Sequence, residues 1–216
     1  MSKLITCFEV AAFFASLAAW PVLRNSRYLR VFPFILGMIA VVEVSQSFFK
    51  SYFSYYNTHI YNIETPIEHG LYLLILYRAI SHERWKKFLM FSGIVFLAFA
   101  VMTTLYFTKP NHSNILAYSL GSVLIITGIL LKFYEMLENP QEFNFLRNPF
   151  FYMLFACLLF NVATLPFFIM MNWMYYIEAG RKIHLVFASV MTVFNCVLYL
   201  TYTITFLWMI LKKRPS

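Results

Sequence analysis

Four glutamates lie inside apolar runs of this 216-residue chain: Glu9, Glu43, Glu64 and Glu68. The last two stand at the head of YNIETPIEHGLYLLILYRAI, residues 61–80, with His69 directly after them, and His184 opens the final apolar run. A charged side chain at the centre of a bilayer costs about 2.5–3.5 kcal/mol on insertion scales, and less toward the interface. Ionisable groups retained at such positions face the bundle interior and mark ion, proton or ligand sites. Glu64 and Glu68 are four residues apart and share one face of a helix. Two carboxylates so placed repel each other, and a bound proton or cation relieves the repulsion.

Local chemistry gives Glu68 a second role. Thr65-Pro66-Ile67-Glu68 has the form of a capping box with proline at the first helical position. A helix from Thr65 to Ile80 rises only about 24 Å, short of a ~30 Å hydrocarbon core. The span therefore starts earlier and kinks at Pro66, or continues beyond Ile80. With Glu68 as a cap, Glu64 becomes the functional carboxylate. For Glu9 and Glu43, hydrogen bonding between helices stands beside ligand binding as a role, and it is the expected role of Asn161, Thr164 and Asn195.

These residues need a scaffold, and the composition points to a membrane. Hydrophobic residues make up 61% of the chain and charged ones 12%, with a mean hydropathy of +0.68. Soluble domains are about 45–50% apolar and about 25% charged. No hydrophilic stretch is long enough for a separate soluble domain, so residues 1–216 read as one all-α transmembrane domain. Seven apolar runs predict seven helices, near Leu4–Leu23, Val31–Phe49, Thr58–Ile80, Phe88–Thr108, Asn114–Met136, Pro149–Met170 and Ile183–Leu211. Polar, turn-rich stretches such as RNSR, SHERWKK and TKPNHSN separate them. Asn148 and Pro149 form an N-cap followed by proline. Pro166 is expected to kink the sixth helix.

Alternate connections differ in charge. Arg24, Arg27, Arg30, Arg78, Arg84, Lys86, Lys87, Lys132, Arg147, Lys212, Lys213 and Arg214 fall on one side; Lys3, Lys50, Lys109, Arg181 and Lys182 fall on the other. With the larger group in the cytoplasm, the N-terminus is outside and the C-terminus inside. The first run is read as an uncleaved helix, because its arginines follow the apolar stretch rather than precede it. In this topology Glu9, Glu43, Glu64, Glu68 and His184 all fall toward the outer face. The aromatic stretches SFFKSYFSYYNTHIY and NWMYY fit an interfacial belt. Tyr134 and Glu135, beside Lys132, read as a solvated cytoplasmic helix end.

Several chemistries find no support. A retinal-type Schiff base needs a lysine in the last helix, and none lies between His184 and Leu211. The five histidines include no HxxxH pair, and GxSxG, a phosphate loop and CxxC are absent. Cys7, Cys157 and Cys196 sit in apolar runs as small hydrophobes. The net charge of +8 is spread over short turns, which suits anionic lipid headgroups rather than nucleic acid. No catalytic residue, cofactor or metal site is assigned.

Two stretches carry a family likeness. YNIETPIEHGLYLLILYRAI joins an asparagine, spaced aromatics and an acidic residue in a third helix. KFYEMLENPQEFNFLRNPFFYMLFACLLFN joins a Tyr-Glu end of helix 5 to a short loop and a Pro-Phe start of helix 6. Together they resemble a group of small seven-helix inner-membrane proteins of Gram-negative bacteria that has no established activity. The pattern positions are Asn62, Glu68, Tyr134, Glu135 and Pro149; Tyr152 departs from the pattern, which has tryptophan there. Some members are encoded near sensor histidine kinases, so the resemblance implies signalling in the inner membrane.

The expected function is that of a multi-pass sensor or signalling partner without enzymatic activity. Glu64, Glu68, Glu43, Glu9, His69 and His184 would form an outer-facing polar pocket for a small ligand or proton. Membrane lipids and a separate signalling protein such as a sensor kinase are the expected partners. The alternative is a proton- or cation-coupled transporter or channel-like protein, with a membrane lipid-modifying enzyme as a third class.

Overall fold

The computed structural model describes residues 3–48, 57–108, 112–138, 147–174 and 180–213. Every regular element among them is a helix. Seven are long: α1 (Lys3–Ala18), α2 (Phe32–Phe48), α3 (Asn57–Ala79), α4 (Glu83–Met102), α5 (Ile115–Glu138), α6 (Pro149–Met174) and α7 (Gly180–Lys213). Each coincides with one of the seven apolar runs. Short helical turns, Trp20–Leu23 and Leu29–Val31, join α1 to α2, and a π-helical turn, Thr103–Phe107, extends α4.

Among the described residues, five segments are long and apolar enough to cross a membrane: Leu29–Gln46, Glu83–Phe107, Ile115–Glu138, Pro149–Met170 and Val186–Lys212. With the composition, they make this a membrane protein. The two long helices outside that set differ for different reasons. α1 has only 16 residues. α3 has 23 residues, long enough at about 35 Å, but carries Glu64, Glu68 and Arg78 along with a polar first turn. The helix that is least apolar is thus the one that carries two of the four glutamates found in apolar runs.

Two local expectations are corrected. Thr65–Glu68 is not a helix start: α3 begins at Asn57 and runs through Pro66. Proline removes one backbone N–H, while the eight residues before Thr65 keep helical bonds of their own, so continuation outweighs a fresh start at the cap. Glu68 is therefore no cap. α4 begins at Glu83, inside the stretch expected to be a loop, because SHERWKK holds an acidic residue for the first turn and a Glu83–Lys86 pair one turn apart at 3.8 Å. The N-cap of α6 is as the sequence indicates: Asn148 Oδ1 accepts the Phe150 N–H at 3.0 Å, and α6 starts at Pro149. α6 continues through Pro166.

The helices form a ring. α1 packs on α2 and α7, α7 on α6, α6 on α5, and α5 on α3, with α4 outside against α3 and α5. Among the described residues the ring is weakest where α2 meets α3, which touch only lightly. α3 and α5 approach closely because glycines face the contact. A Cβ built at Gly121 would lie 2.5 Å from His69 Cδ2, and one at Gly128 would lie 2.8 Å from Leu76 Cδ1. An aromatic cluster fills the other half of the ring, where Phe32 meets Tyr72, Tyr202 and Phe206 edge-on with centroids 5.5–6.4 Å apart.

Glu135 is not a solvated end. Its Oε1 accepts the backbone N–H groups of Ser81 and His82 at 2.7 and 2.9 Å, and Lys132 Nζ donates to its Oε2 at 3.0 Å. The side chains of Lys132 and Glu135 are only 6% and 13% exposed. The α3–α4 turn is thereby tied to the end of α5. Tyr134 is exposed and donates to Glu138.

Candidate functional site

The four glutamates of the apolar runs face one cavity. It has a volume of about 660 Å³, and Glu9, Glu43, Glu64 and Glu68 all line it, with His69 among them. Glu9 sits one to two turns into α1 and Glu43 near the end of α2, while Glu64 and Glu68 occupy successive turns of α3. Glu9, Glu43 and Glu64 are 2%, 5% and 7% exposed. Burial of three acidic side chains in one wall is costly unless each is neutralised or finds a partner. Tyr61 Oη gives Glu43 Oε1 one such partner at 2.7 Å. Glu9 Oε2 is buried with no hydrogen-bond partner among the described residues. No lysine or arginine lies among the described lining residues.

His69 is held differently. Its Nδ1 lies 2.8 Å from the Thr65 carbonyl, which only accepts, so Nδ1 carries the proton. In the neutral ring Nε2 then accepts from Ser122 Oγ at 3.3 Å. Both nitrogens are engaged, and the ring packs against Phe96 and Tyr118. His69 thus joins α3 to α5 and lines the cavity with its ring. The side chain of His184, the sixth expected site residue, lies outside the described residues. So do the five basic side chains assigned to the outer side and most of the two aromatic stretches. Among the described residues, no group of three or more His, Cys, Asp or Glu side chains is arranged to hold a metal ion.

The wall opposite the carboxylates has another character. Tyr118 of α5 stacks on Phe168 of α6 with centroids 3.8 Å apart, and Phe168 meets Phe187 of α7 edge-on at 5.6 Å. All three line the cavity, as do Phe160, Met191 and Leu198. Asn161 and Asn195 line it too. Their described hydrogen bonds run to carbonyls of their own helices, Cys157 and Met191, rather than between helices as expected. Thr164 does bridge helices, through Tyr118 Oη at 2.8 Å.

An asparagine pair, Asn62 and Asn114, forms part of the cavity lining. Asn62 Nδ2 donates to the His112 carbonyl at 2.9 Å, and the Asn114 N–H donates to Asn62 Oδ1 at 2.8 Å. Asn114 caps α5 through Ala117 N–H and donates to Thr103 and Thr104 at the end of α4. The start of α3, the end of α4 and the start of α5 are thereby fixed to one another.

Sequence reasoning found the acidic wall and missed the aromatic one. Tyr61 was findable, because Tyr61, Glu64, Glu68 and Tyr72 recur at helical spacing on one face. Phe168 and Phe187 carried no signal, being two of 25 phenylalanines in the chain. No protein-family model, curated protein or solved structure matches this chain.

Proposed function

We propose that this chain is a seven-span protein of the bacterial inner membrane, with its N-terminus outside, that binds a small cation in the cavity and acts as a sensor. The observation that carries this reading is the convergence of four carboxylates from three helices on one cavity whose described lining holds no lysine or arginine to neutralise them, and whose His69 has both ring nitrogens engaged by Thr65 and Ser122. A cation supplies the missing charge, and Glu9 Oε2 is an acceptor without a donor among the described residues. The volume lies within the 300–1,000 Å³ typical of small-molecule sites and far exceeds the needs of a proton.

The excess of basic residues in the loops assigned to the cytoplasm supports the orientation. The family resemblance supports an inner-membrane signalling role, with a separate signalling protein such as a sensor kinase as partner. The packing behind the site supports reception over passage. Tyr72 lines the cavity, and behind it Phe32, Tyr202 and Phe206 close the ring with side chains no more than 1% exposed.

The test pairs binding with flux. Tetramethylammonium binding to protein in lipid nanodiscs is expected, and Glu64→Gln or Glu68→Gln weakens it about tenfold. Reconstituted vesicles stay silent to imposed cation and proton gradients. A gradient-driven flux that disappears in Glu64→Gln overturns the sensor reading in favour of transport. Absence of cation binding to the unaltered protein overturns the site itself.

A further inference from the structure

The two walls of the cavity differ in kind, and the difference specifies a ligand more closely than charge does. Every carboxylate lining the cavity comes from α1, α2 or α3, and every lining phenylalanine comes from α6 or α7. A compact hydrated cation uses the first wall and leaves the second bare. A ligand with a cationic head and an apolar body uses both. The head meets Glu9 Oε2, buried and without a partner among the described residues, while the body lies along Phe168, Phe187, Met191 and Leu198.

The ring of helices suggests the source. α1–α2, α1–α7, α6–α7, α5–α6 and α3–α5 are closely packed, whereas α2 and α3 touch lightly. This seam is bordered by Glu43 on one side and by Glu64 and Glu68 on the other, and Tyr61 bridges it through its bond to Glu43. An amphiphile dissolved in the bilayer reaches this seam without crossing water. The outer faces of the same two helices are apolar, with Phe34, Val41, Ile63 and Ile67 exposed.

From the acidic wall, the aromatic wall and the loose seam between α2 and α3, we infer that the ligand is a membrane-partitioned amphiphilic amine, a quaternary or protonated ammonium on an aliphatic or aromatic tail. This deepens the cation-binding reading and rests on it.

Equilibrium binding to protein-loaded nanodiscs, corrected with empty nanodiscs, separates the two ideas. The probes are tetramethylammonium, decyltrimethylammonium and decyl sulfate. Decyltrimethylammonium is expected to bind at least tenfold more tightly than tetramethylammonium, with no specific binding of decyl sulfate. Phe168→Leu should erase most of the tail's advantage while leaving tetramethylammonium affinity unchanged, and Glu9→Gln should weaken both cations alike. Phe187→Leu gives the same reading if Phe168→Leu fails to fold by circular dichroism. Equal affinity for the two cations overturns the amphiphile while leaving the cation site standing. Binding of decyl sulfate as tight as that of decyltrimethylammonium overturns it as well, since the tail alone then suffices. Loss of all cation binding overturns both readings.

Discussion

Tyr61 on α3 donates a 2.7 Å hydrogen bond to Glu43 on α2, joining two helices that otherwise touch little. Tyr61→Phe keeps the ring and removes the donor. It should lower stability by about 1.5–3 kcal/mol, the range for a hydrogen bond to a charged group. Hydrogen exchange at backbone amides of α2 and α3 near the bond should rise, with α6 and α7 unchanged. Uniform exchange across all helices would show that the bond is not a local tie.

The glycines of α5 make opposed predictions with a glycine of α4. Gly121→Ala places a methyl 2.5 Å from His69 Cδ2 and 2.9 Å from Phe96 Cε2. The imidazole must move or the helices must part, at about 1–3 kcal/mol. Gly93→Ala meets nothing closer than Leu73 Cδ1 at 4.0 Å. It should be neutral or stabilising by up to about 1 kcal/mol, through helix propensity. Thermal unfolding in nanodiscs checks both, and a destabilised Gly93→Ala would contradict the geometry.

At the opposite end of the bundle, Glu135 serves three donors at once. Glu135→Ala should cost about 3 kcal/mol, because it strands a mostly buried lysine and two backbone N–H groups. Glu135→Gln keeps an acceptor for the turn and should cost less. Glu83→Ala, at an exposed pair, should stay within about 0.5 kcal/mol. Equal losses for Glu135→Ala and Glu83→Ala would mean that burial does not set the strength of these pairs.

Orientation has a direct readout. Fusions to a reporter that is active only in the cytoplasm should be active after Ser81, Gln141 and Ser216, and silent after Thr58, His112 and Gly180. Activity after His112 would reverse the proposed N-out topology.

By itself the sequence determined the helices and the acidic residues they carry. Length and hydropathy are properties of contiguous residues, so Pro149–Met174 and Ile115–Glu138 were legible to within a few positions. The Asn148 cap was legible for the same reason: its oxygen reaches an N–H two residues away. Local pattern also misled. Thr65 to Glu68 has cap chemistry, but whether a cap is used depends on what the preceding residues do, and here they are already helical.

Only the tertiary structure decided the rest. Burial could be guessed for Glu9, Glu43 and Glu64 one at a time, but a shared cavity depends on how α1, α2 and α3 are rotated and which neighbours they have. In a bilayer the lipid tails are as apolar as leucine, so hydrophobicity alone cannot order helices around a ring; close approaches such as Gly121 on His69 and polar bonds such as Asn62 to Asn114 do so. Glu135 looks solvated until the α3–α4 turn is brought to it from 53 residues away. Phe168 and Phe187 became a wall opposite the carboxylates for the same reason: what makes them distinctive is what they face, and that is set by packing between helices distant in the chain.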